Sequence, residues 1–431
     1  MLNMWDVESF LSRRRRGFRF EEERRVVEEI IAAVREGGDE AVRSYTKTFD
    51  RMELGDLRMP EAWFEAAEAK VTDEFRAVIR EAIGNIRRFH EHQRRSSWFM
   101  SEEDGRFLGQ VVRPIRRVGV YVPGGRAAYP SSVLMNVIPA QVAGVKEVAV
   151  VTPTPEGQWN PGVLVALREL GVREVYRIGG AQAVAALAFG TETIRAVDKI
   201  VGPGNLYVAL AKSAVFGRVG IDMMAGPSEI LIVADEAADP EWTAADLLSQ
   251  AEHDPMASAV LVTPSKTLAQ GVMKAVERRL AKLPRRDIAR QSMEQQGGIL
   301  LVDSIEEAVA VANLVAPEHL ELMVADPHRW LGMIESAGAV FLGPWSPEPV
   351  GDYFAGPNHV LPTGGSARFA SPLSVDDFVT RMSVIQYSEA ALRTQAARIA
   401  LFARAEGLEA HAQAVEARME RGGRGRDGAA R

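Results

Sequence analysis

The chain has 431 residues, no cysteine, 47% hydrophobic and 25% charged residues, and a formal net charge of −7. The length allows about three folding units at roughly 150 residues each, with a core large enough to need no covalent staple; the lack of cysteine excludes disulfides and thiolate metal ligands. The acidic balance argues against nucleic acid as the main partner, and the longest apolar stretches are too short and interrupted to span a bilayer.

Arg13 to Arg16 form a basic run, but Glu21, Glu22 and Glu23 follow it instead of an apolar segment. It reads as a solvated patch or a local phosphate contact and not as a targeting signal, so the cytoplasm is the expected location. Phe20 to Glu36 has apolar residues at helical spacing, stopped by Gly37-Gly38, and a second helical stretch runs from about Glu61 to Arg95. Val118 to Val122, ended by Pro123-Gly-Gly125, reads as a buried strand meeting a turn. From there strands and helices alternate. Strands are predicted at 148–152, 174–178, 199–201, 230–234, 258–262, 298–302 and 339–342, and helices at 162–170, 180–188, 244–252 and 305–314. That alternation implies parallel sheets covered by helices. It is too long for one sheet, which implies two doubly wound units. Residues 376–418 read as helical, and the tail from Arg421 has no apolar period and reads as disordered. No repeat at solenoid spacing is present.

Seven histidines are available. His90, His92 and His328 sit in charged or polar stretches and read as surface residues. The other four lie in polar clusters. Gln250 and His253 are three apart on one helix face, where an amide oxygen and an imidazole can share a metal; capping of the helix end is the alternative. Asp352 and His359 lie in a segment whose Gly, Pro and Asn demand a loop, although a lone Asp there also serves to cap a turn. A carboxylate, two imidazoles and an amide suit Zn²⁺ or a similar divalent ion in a cysteine-free chain. Glu406 precedes a glycine near the end and His411 lies on the following helix, where an ordinary surface-helix histidine is the better account of this segment taken alone. Glu318 and His319 are adjacent between apolar residues. Burial raises the one and lowers the other toward neutrality, which suits proton transfer, and a buried ion pair is the alternative. No Gly-x-Gly-x-x-Gly follows any strand. Three glycine turns take its place, at Pro123-Gly-Gly125, Gly179-Gly-Ala-Gln182 and Gly202-Pro-Gly-Asn205, and the last two precede helices whose N–H groups either hold phosphate or merely cap.

Taken together, these segments resemble the histidinol dehydrogenase family over nearly the whole chain. The most specific stretches are Gly220-Ile-Asp-Met223 with Ala225-Gly-Pro-Ser-Glu229, Ser249-Gln-Ala-Glu-His-Asp254, Ala316-Pro-Glu-His-Leu-Glu321, and Gly351 to Phe369 containing Gly-Pro-Asn-His-Val-Leu-Pro-Thr-Gly-Gly. The resemblance implies one zinc per subunit, held by Gln250, His253, Asp352 and His411, and a catalytic pair Glu318 and His319. It implies NAD contacts at Tyr121, Gln182 and Asn205. Substrate contacts are implied at Ser228, His359 and Glu406, besides His319 and the zinc ligands. No substitution occurs at these positions, and only the segment after Met419 is left unexplained.

The same resemblance implies two Rossmann-like doubly wound units with small helical extensions. The expected division is a helical extension 1–16, a first unit of 17–120 and 229–372 carrying the zinc and catalytic residues, and a second unit 121–228 on the NAD side. A helical region 373–420 reaching the partner subunit and a disordered tail 421–431 complete it. The implied assembly is an intertwined homodimer whose sites take His411 and Glu406 from the partner. The implied reaction carries L-histidinol through the aldehyde to L-histidine with two NAD⁺ and a water, the last step of histidine biosynthesis. His319 is the base, Glu318 activates the water, and zinc orients the substrate. Three other readings stay open: a related zinc- and NAD-dependent dehydrogenase of a sulfonated or other polar diol, a zinc hydrolase using Glu318, and a non-catalytic dinucleotide-binding regulator.

Overall fold

Two parallel sheets with the same strand order organise most of the chain. The computed structural model describes residues 3–15, 20–124, 129–224 and 226–421. They fall into two units, one within Met1–Arg94 and Ile115–Phe378 and one within Arg95–Pro114 and Val379–Arg431.

In the larger unit, Arg117–Tyr121, Glu147–Val151, Glu174–Tyr176, Lys199–Val201 and Gly220–Ile221 form a five-stranded sheet. Its spatial order, by position in the chain, is third, second, first, fourth, fifth. Glu229–Ala234, Ser258–Thr263, Gly298–Leu301, His319–Met323 and Ala339–Leu342 repeat that order, and Met4–Trp5 adds a sixth strand beside Gly298–Leu301. Every pairing in both sheets is parallel. These are two Rossmann-like doubly wound sheets in an α/β fold, as expected. Strands such as Glu229-Ile-Leu-Ile-Val-Ala234 are buried along their whole length, which is why they read as continuous apolar runs without alternation.

Residues 20–120 differ from their expected place. The sequence reading puts 17–120 with the zinc-bearing half. The structure packs these helices on the five-stranded sheet instead. Helix Glu21–Asp50 buries Val27, Ile30, Val34 and Val42 in one core with Ala149, Val151 and helix Gly180–Phe189. Helix Asp73–Glu91 buries Ile79, Ala82 and Ile86 in another with Val118, Val120 and helix Pro130–Ala143. The reason lies in the crossover helices. Pro130–Ala143 is buried from Ser132 through Ala140, and Gly180–Phe189 from Ala181 through Ala188. A helix apolar all round needs a second layer over it, and the two amphipathic helices supply it.

The Gly37-Gly38 break is present as a kink: Gly38 has φ 53° and ψ −135°, and the helix resumes to Asp50. The 1–16 extension is more than helical. Met4–Trp5 joins the sheet edge, and helix Val7–Arg15 buries Phe10 in the core of the six-stranded sheet.

The smaller unit holds an antiparallel sheet of Trp98–Ser101, Phe107–Pro114 and Val379–Gln386. The helical reading of 376–418 is corrected here: Val379-Thr-Arg-Met-Ser-Val-Ile-Gln386 pairs residue for residue with Phe107–Pro114. Its β-branched residues favour that state once a partner strand exists. Helices Glu389–Ala405 and Glu409–Arg421 follow, meeting through Ala400, Ala403 and Ala412. The expected disordered tail, beyond Arg421, lies outside the described residues. Among the described residues, no helix is long and apolar enough to cross a membrane.

Candidate active site

Glu318 and His319 open the strand His319–Met323, after helix Ile305–Val315 ends on Ala316 at φ 48°. Both are buried, at 7% and 3% exposure. Glu229, at the start of the neighbouring strand, engages both. Its N–H donates to Glu318 Oε2 at 2.8 Å, and its carbonyl accepts from His319 Nδ1 at 2.9 Å. A carbonyl can only accept, so Nδ1 carries a proton, and Nε2 holds a lone pair only in the neutral ring. Nε2 is buried and has no hydrogen-bond partner among the described residues. Burial raises the Glu318 carboxyl to about 7, against the lowering effects of His319 and the Glu229 amide.

Asp352, in helix Glu348–Tyr353, has Oδ1 3.7 Å from His319 Nε2. Gln250 ends helix Pro240–Ala251 fully buried, with neither amide atom hydrogen-bonded among the described residues. One turn on, His253 donates its N–H to the Gln250 carbonyl at 3.2 Å, and its imidazole lies within the fields of Asp352 and His319. His359 feels Asp352, His319 and His253, and its Nε2 is buried without a partner among the described residues. Burial lowers both His253 and His359, which favours the neutral form that a metal-binding imidazole such as His253 needs.

Charge balance tests whether a cation suits these residues. Burial alone would lower His319, but Glu318, Asp352 and Glu348 outweigh it and raise the imidazole to about 10. Burial alone would raise Asp352, but His319 and His359 hold it well below the carboxylate range. Several buried carboxyls thus crowd one imidazole, and Glu318 and Glu348 are pushed toward their neutral forms, which a bound cation would oppose. Orphaned amide and imidazole atoms beside a carboxylate fit a divalent ion with oxygen and nitrogen ligands. The tightest group of ligand atoms, however, is His319, Glu348 and Asp352, within 4.8 Å of one another. It shares only Asp352 with the expected set.

Glu348 belongs to the part that sequence reading missed. It is 2% exposed, receives Ser249 Oγ at 3.3 Å, and has its carboxyl raised to about 8 by burial and Asp352. Its N–H donates to Glu321 Oε1 at 2.8 Å, and burial raises Glu321 well above its ordinary value. Glu229 was missed too. A Glu at the head of an apolar strand was the available signal for it, and a Glu before Pro349 the signal for Glu348. His90 corrects a surface reading. It is fully buried, at 0% exposure, and burial lowers its imidazole. Helix Asp73–Glu91 turns that histidine inward with Ile79, Ala82 and Ile86, so the charged stretch in which it sits is only the outer face.

The expected NAD contacts gather elsewhere. Tyr121 ends the first strand of the five-stranded sheet, and Asn205 follows the fourth. These are the two strands between which the order reverses, the place where doubly wound sheets bind ligands. Gln182 lies in the first turn of helix Gly180–Phe189, buried, with Oε1 unpartnered among the described residues. The N–H of Gly180 donates to the Tyr121 hydroxyl at 3.1 Å, and Asn205 Oδ1 accepts from Val208 N at 3.1 Å. Those two amides are therefore capped from within the chain. Gly202 has φ 114°, and a Cβ there would meet the Tyr121 carbonyl at 2.2 Å, so this turn requires glycine. Ser228 precedes strand Glu229–Ala234, and its carbonyl accepts from Ser258 N at 2.9 Å. Glu406 and His411 belong to the smaller unit, where both are exposed.

Comparison with known proteins follows the same residues. A family model described as histidinol dehydrogenase matches residues 13–419. The chain is 59% identical over 403 residues to histidinol dehydrogenase of Geobacillus kaustophilus, covering 93% of this chain and 95% of the relative. It is 56% identical over 402 residues to that of Bacillus subtilis, covering 93% and 94%. The crystal structure of histidinol dehydrogenase from Elizabethkingia anophelis superposes with a TM-score of 0.92 at 39% identity, covering 98% of this chain and 99% of that one. This chain belongs to the histidinol dehydrogenase family.

Proposed function

We propose that this protein oxidises L-histidinol through L-histidinal to L-histidine with two NAD⁺ and a water, as the last step of histidine biosynthesis in the cytoplasm. The observation that carries the reading is the contact of His319 Nδ1 with the Glu229 carbonyl at 2.9 Å, which leaves Nε2 as the atom that accepts a proton when the ring is neutral; a cation beside Asp352 would oppose the carboxylates that raise the imidazole and favour that neutral form.

Zinc, held by Gln250, His253, Asp352 and the partner subunit's His411, would hold the substrate's amino and imidazole nitrogens in place, supplying orientation more than Lewis acidity. Tyr121, Gln182 and Asn205 would hold NAD⁺, which would supply the hydride acceptor for each oxidation. His319 Nε2 takes the hydroxyl proton as the carbinol hydride leaves, giving the aldehyde. Glu318 takes a proton from the water that adds to the aldehyde carbon. A carboxyl at about 7 has enough of its ionised form to do so at neutral pH. His319 gives its proton to the aldehyde oxygen as water adds, and then takes a hydroxyl proton of the hydrate as the second hydride leaves, giving the acid. Ser228, His359 and the partner subunit's Glu406 complete the contacts to substrate. Burial of the pair keeps the aldehyde out of bulk water.

A homodimer is part of the proposal. The smaller unit exposes Trp98, Phe99, Ile385, Leu401 and Phe402, the last three by 70% or more, an apolar content that a second subunit would cover. The deciding experiment is absorbance at the NADH band after mixing zinc-loaded protein with L-histidinol and NAD⁺. Two NADH per histidinol are expected. Absence of NADH with intact, zinc-loaded protein would refute the reading.

A further inference from the structure

We propose that His90 is a positioning residue, fixing the orientation of Asn358 and through it presenting His359 to the substrate. The proposal rests on the reading of His359 as a substrate contact.

His90 is the last buried residue of helix Asp73–Glu91. Its Nδ1 lies 2.7 Å from Gln93 Oε1, and that oxygen also accepts from Val375 N at 3.1 Å. An amide oxygen that already accepts a backbone N–H can only accept again, so Nδ1 carries the ring proton. Neutral imidazole then offers a lone pair at Nε2, and Asn358 Nδ2 stands 3.3 Å from it. The same Nδ2 donates to the Met135 carbonyl at 2.6 Å, while Asn358 Oδ1 accepts from Val360 N at 2.9 Å. Every hydrogen and the oxygen of this buried amide are thereby used. Reversing it would set Oδ1 against the Met135 carbonyl and Nδ2 against the Val360 N–H, so only one orientation is satisfied.

His359 lies inside that arrangement. The Asn358 side chain bridges to the amide of Val360 and spans the residue between them. The Ser131 backbone holds the His359 ring, leaving Nε2 buried and unpartnered among the described residues. Met135 and Ser131 lie on one helix, Pro130–Ala143. The loop is tied to helix Asp73–Glu91 a second time: Asn85 Nδ2 donates to the Phe354 carbonyl at 3.0 Å, and a Cβ on Gly356 would meet the Asn85 carbonyl at 2.8 Å. A loop pinned at Phe354, Gly356 and Asn358, with Asn358 closing onto Val360 across His359, gives its imidazole one direction. His90 supplies the acceptor without which the amide has an unsatisfied buried N–H.

The test uses full-length, zinc-loaded enzyme. His90→Phe removes the acceptor, whereas His90→Gln keeps an amide oxygen in reach of Asn358. For His90→Phe, KM for L-histidinol and its affinity by calorimetry without NAD⁺ should weaken on the order of tenfold to a hundredfold, as for a buried donor left unpaired. Zinc content should be unchanged and kcat much less affected. His90→Gln should recover most of the affinity. In a His359→Ala background, His90→Phe should cost no further affinity, because its effect passes through His359. Equal losses in both backgrounds, or no loss in either, would overturn the proposal. Should His90→Phe fail to fold, Asn358→Ala taken through the same cycle replaces it, with the same outcomes expected and the same outcomes overturning the proposal. If His359→Ala alone leaves L-histidinol affinity untouched, the underlying reading of His359 fails; if it weakens binding while His90→Phe does not, only the positioning role fails.

Discussion

Glu229 holds His319 by its carbonyl at 2.9 Å and Glu318 by its N–H at 2.8 Å, so a single residue of one strand aligns both groups at the head of the next. The side chain of Glu229 is in turn anchored by Arg14 at 2.6 Å. Arg14 comes from the basic run that reads as a solvated patch in the sequence. The N-terminal helix is thus tied to the residue that holds Glu318 and His319.

His319→Gln should keep zinc and bind L-histidinol but lose turnover by about a hundredfold or more, the usual worth of a missing general base. Glu318→Gln should slow oxidation of L-histidinol more than reduction of L-histidinal in reverse, since only the forward route consumes water. Steady-state NADH formation and consumption, beside zinc analysis, checks both. Near-normal turnover of His319→Gln at neutral pH would place the base elsewhere.

Gly338 packs against the acid–base pair. A Cβ there would stand 2.5 Å from the Glu318 carbonyl oxygen, a backbone atom that cannot move without its strand. Gly338→Ala should cost about 1–3 kcal/mol of stability as overpacking does, and should depress activity. Gly332→Ala is the control, because its Cβ would meet nothing within 4 Å. Denaturant unfolding of the two variants should separate them; equal midpoints would contradict this packing.

Chelation should abolish activity and zinc should restore it. The motive is the fully buried Gln250 amide, unpartnered among the described residues, beside His253 and Asp352. Because the ligands are oxygen and nitrogen, Co²⁺ or Mn²⁺ should also support turnover. Active protein that contains no divalent ion on elemental analysis would defeat the assignment.

Burial holds His90 below the ordinary imidazole value. The unfolded chain then binds a proton more readily than the fold does. Stability from this group is whole above about pH 6.5 and is lost as pH falls from there through the folded-state value. His253 and His359 are lowered in the same direction and add to the slope. The measurable quantity is the difference between wild type and His90→Gln: the variant's Tm should fall less steeply between about pH 7 and pH 5. Parallel curves would show that this imidazole is not held neutral by the fold.

If His411 crosses to the partner's site, two inactive variants should complement. Homodimers of His253→Ala and of His411→Ala should each be inactive, since every site lacks one ligand. Unfolding the two together and refolding them gives about half heterodimers in a two-fold dimer, and each has one site without either defect. Activity should return to roughly a quarter of wild type. Mixing without unfolding should restore nothing if the chains are intertwined. Refolded mixtures that stay inactive, while refolded wild type recovers, would mean that each site is built within one chain.

Local order was legible wherever one residue type forces one conformation. Continuous apolar runs such as Ile230 to Ala234 declare strands buried on both faces, and their alternation with helices declares a doubly wound fold. Glu318-His319 and the Gln250/His253 spacing stand out in the sequence because polar groups in apolar frames need a reason, and the fold buries Glu318, His319 and Gln250. Tertiary structure alone decided which helices cover which sheet, since an amphipathic stripe records that it is buried and not against what. It alone made Val379–Gln386 a strand, whose pairing strand lies far earlier in the chain at Phe107–Pro114. It also turned His90 inward and set Glu348 beside Asp352. Those placements depend on contacts between residues distant in the chain, and sequence spacing carries no information about them.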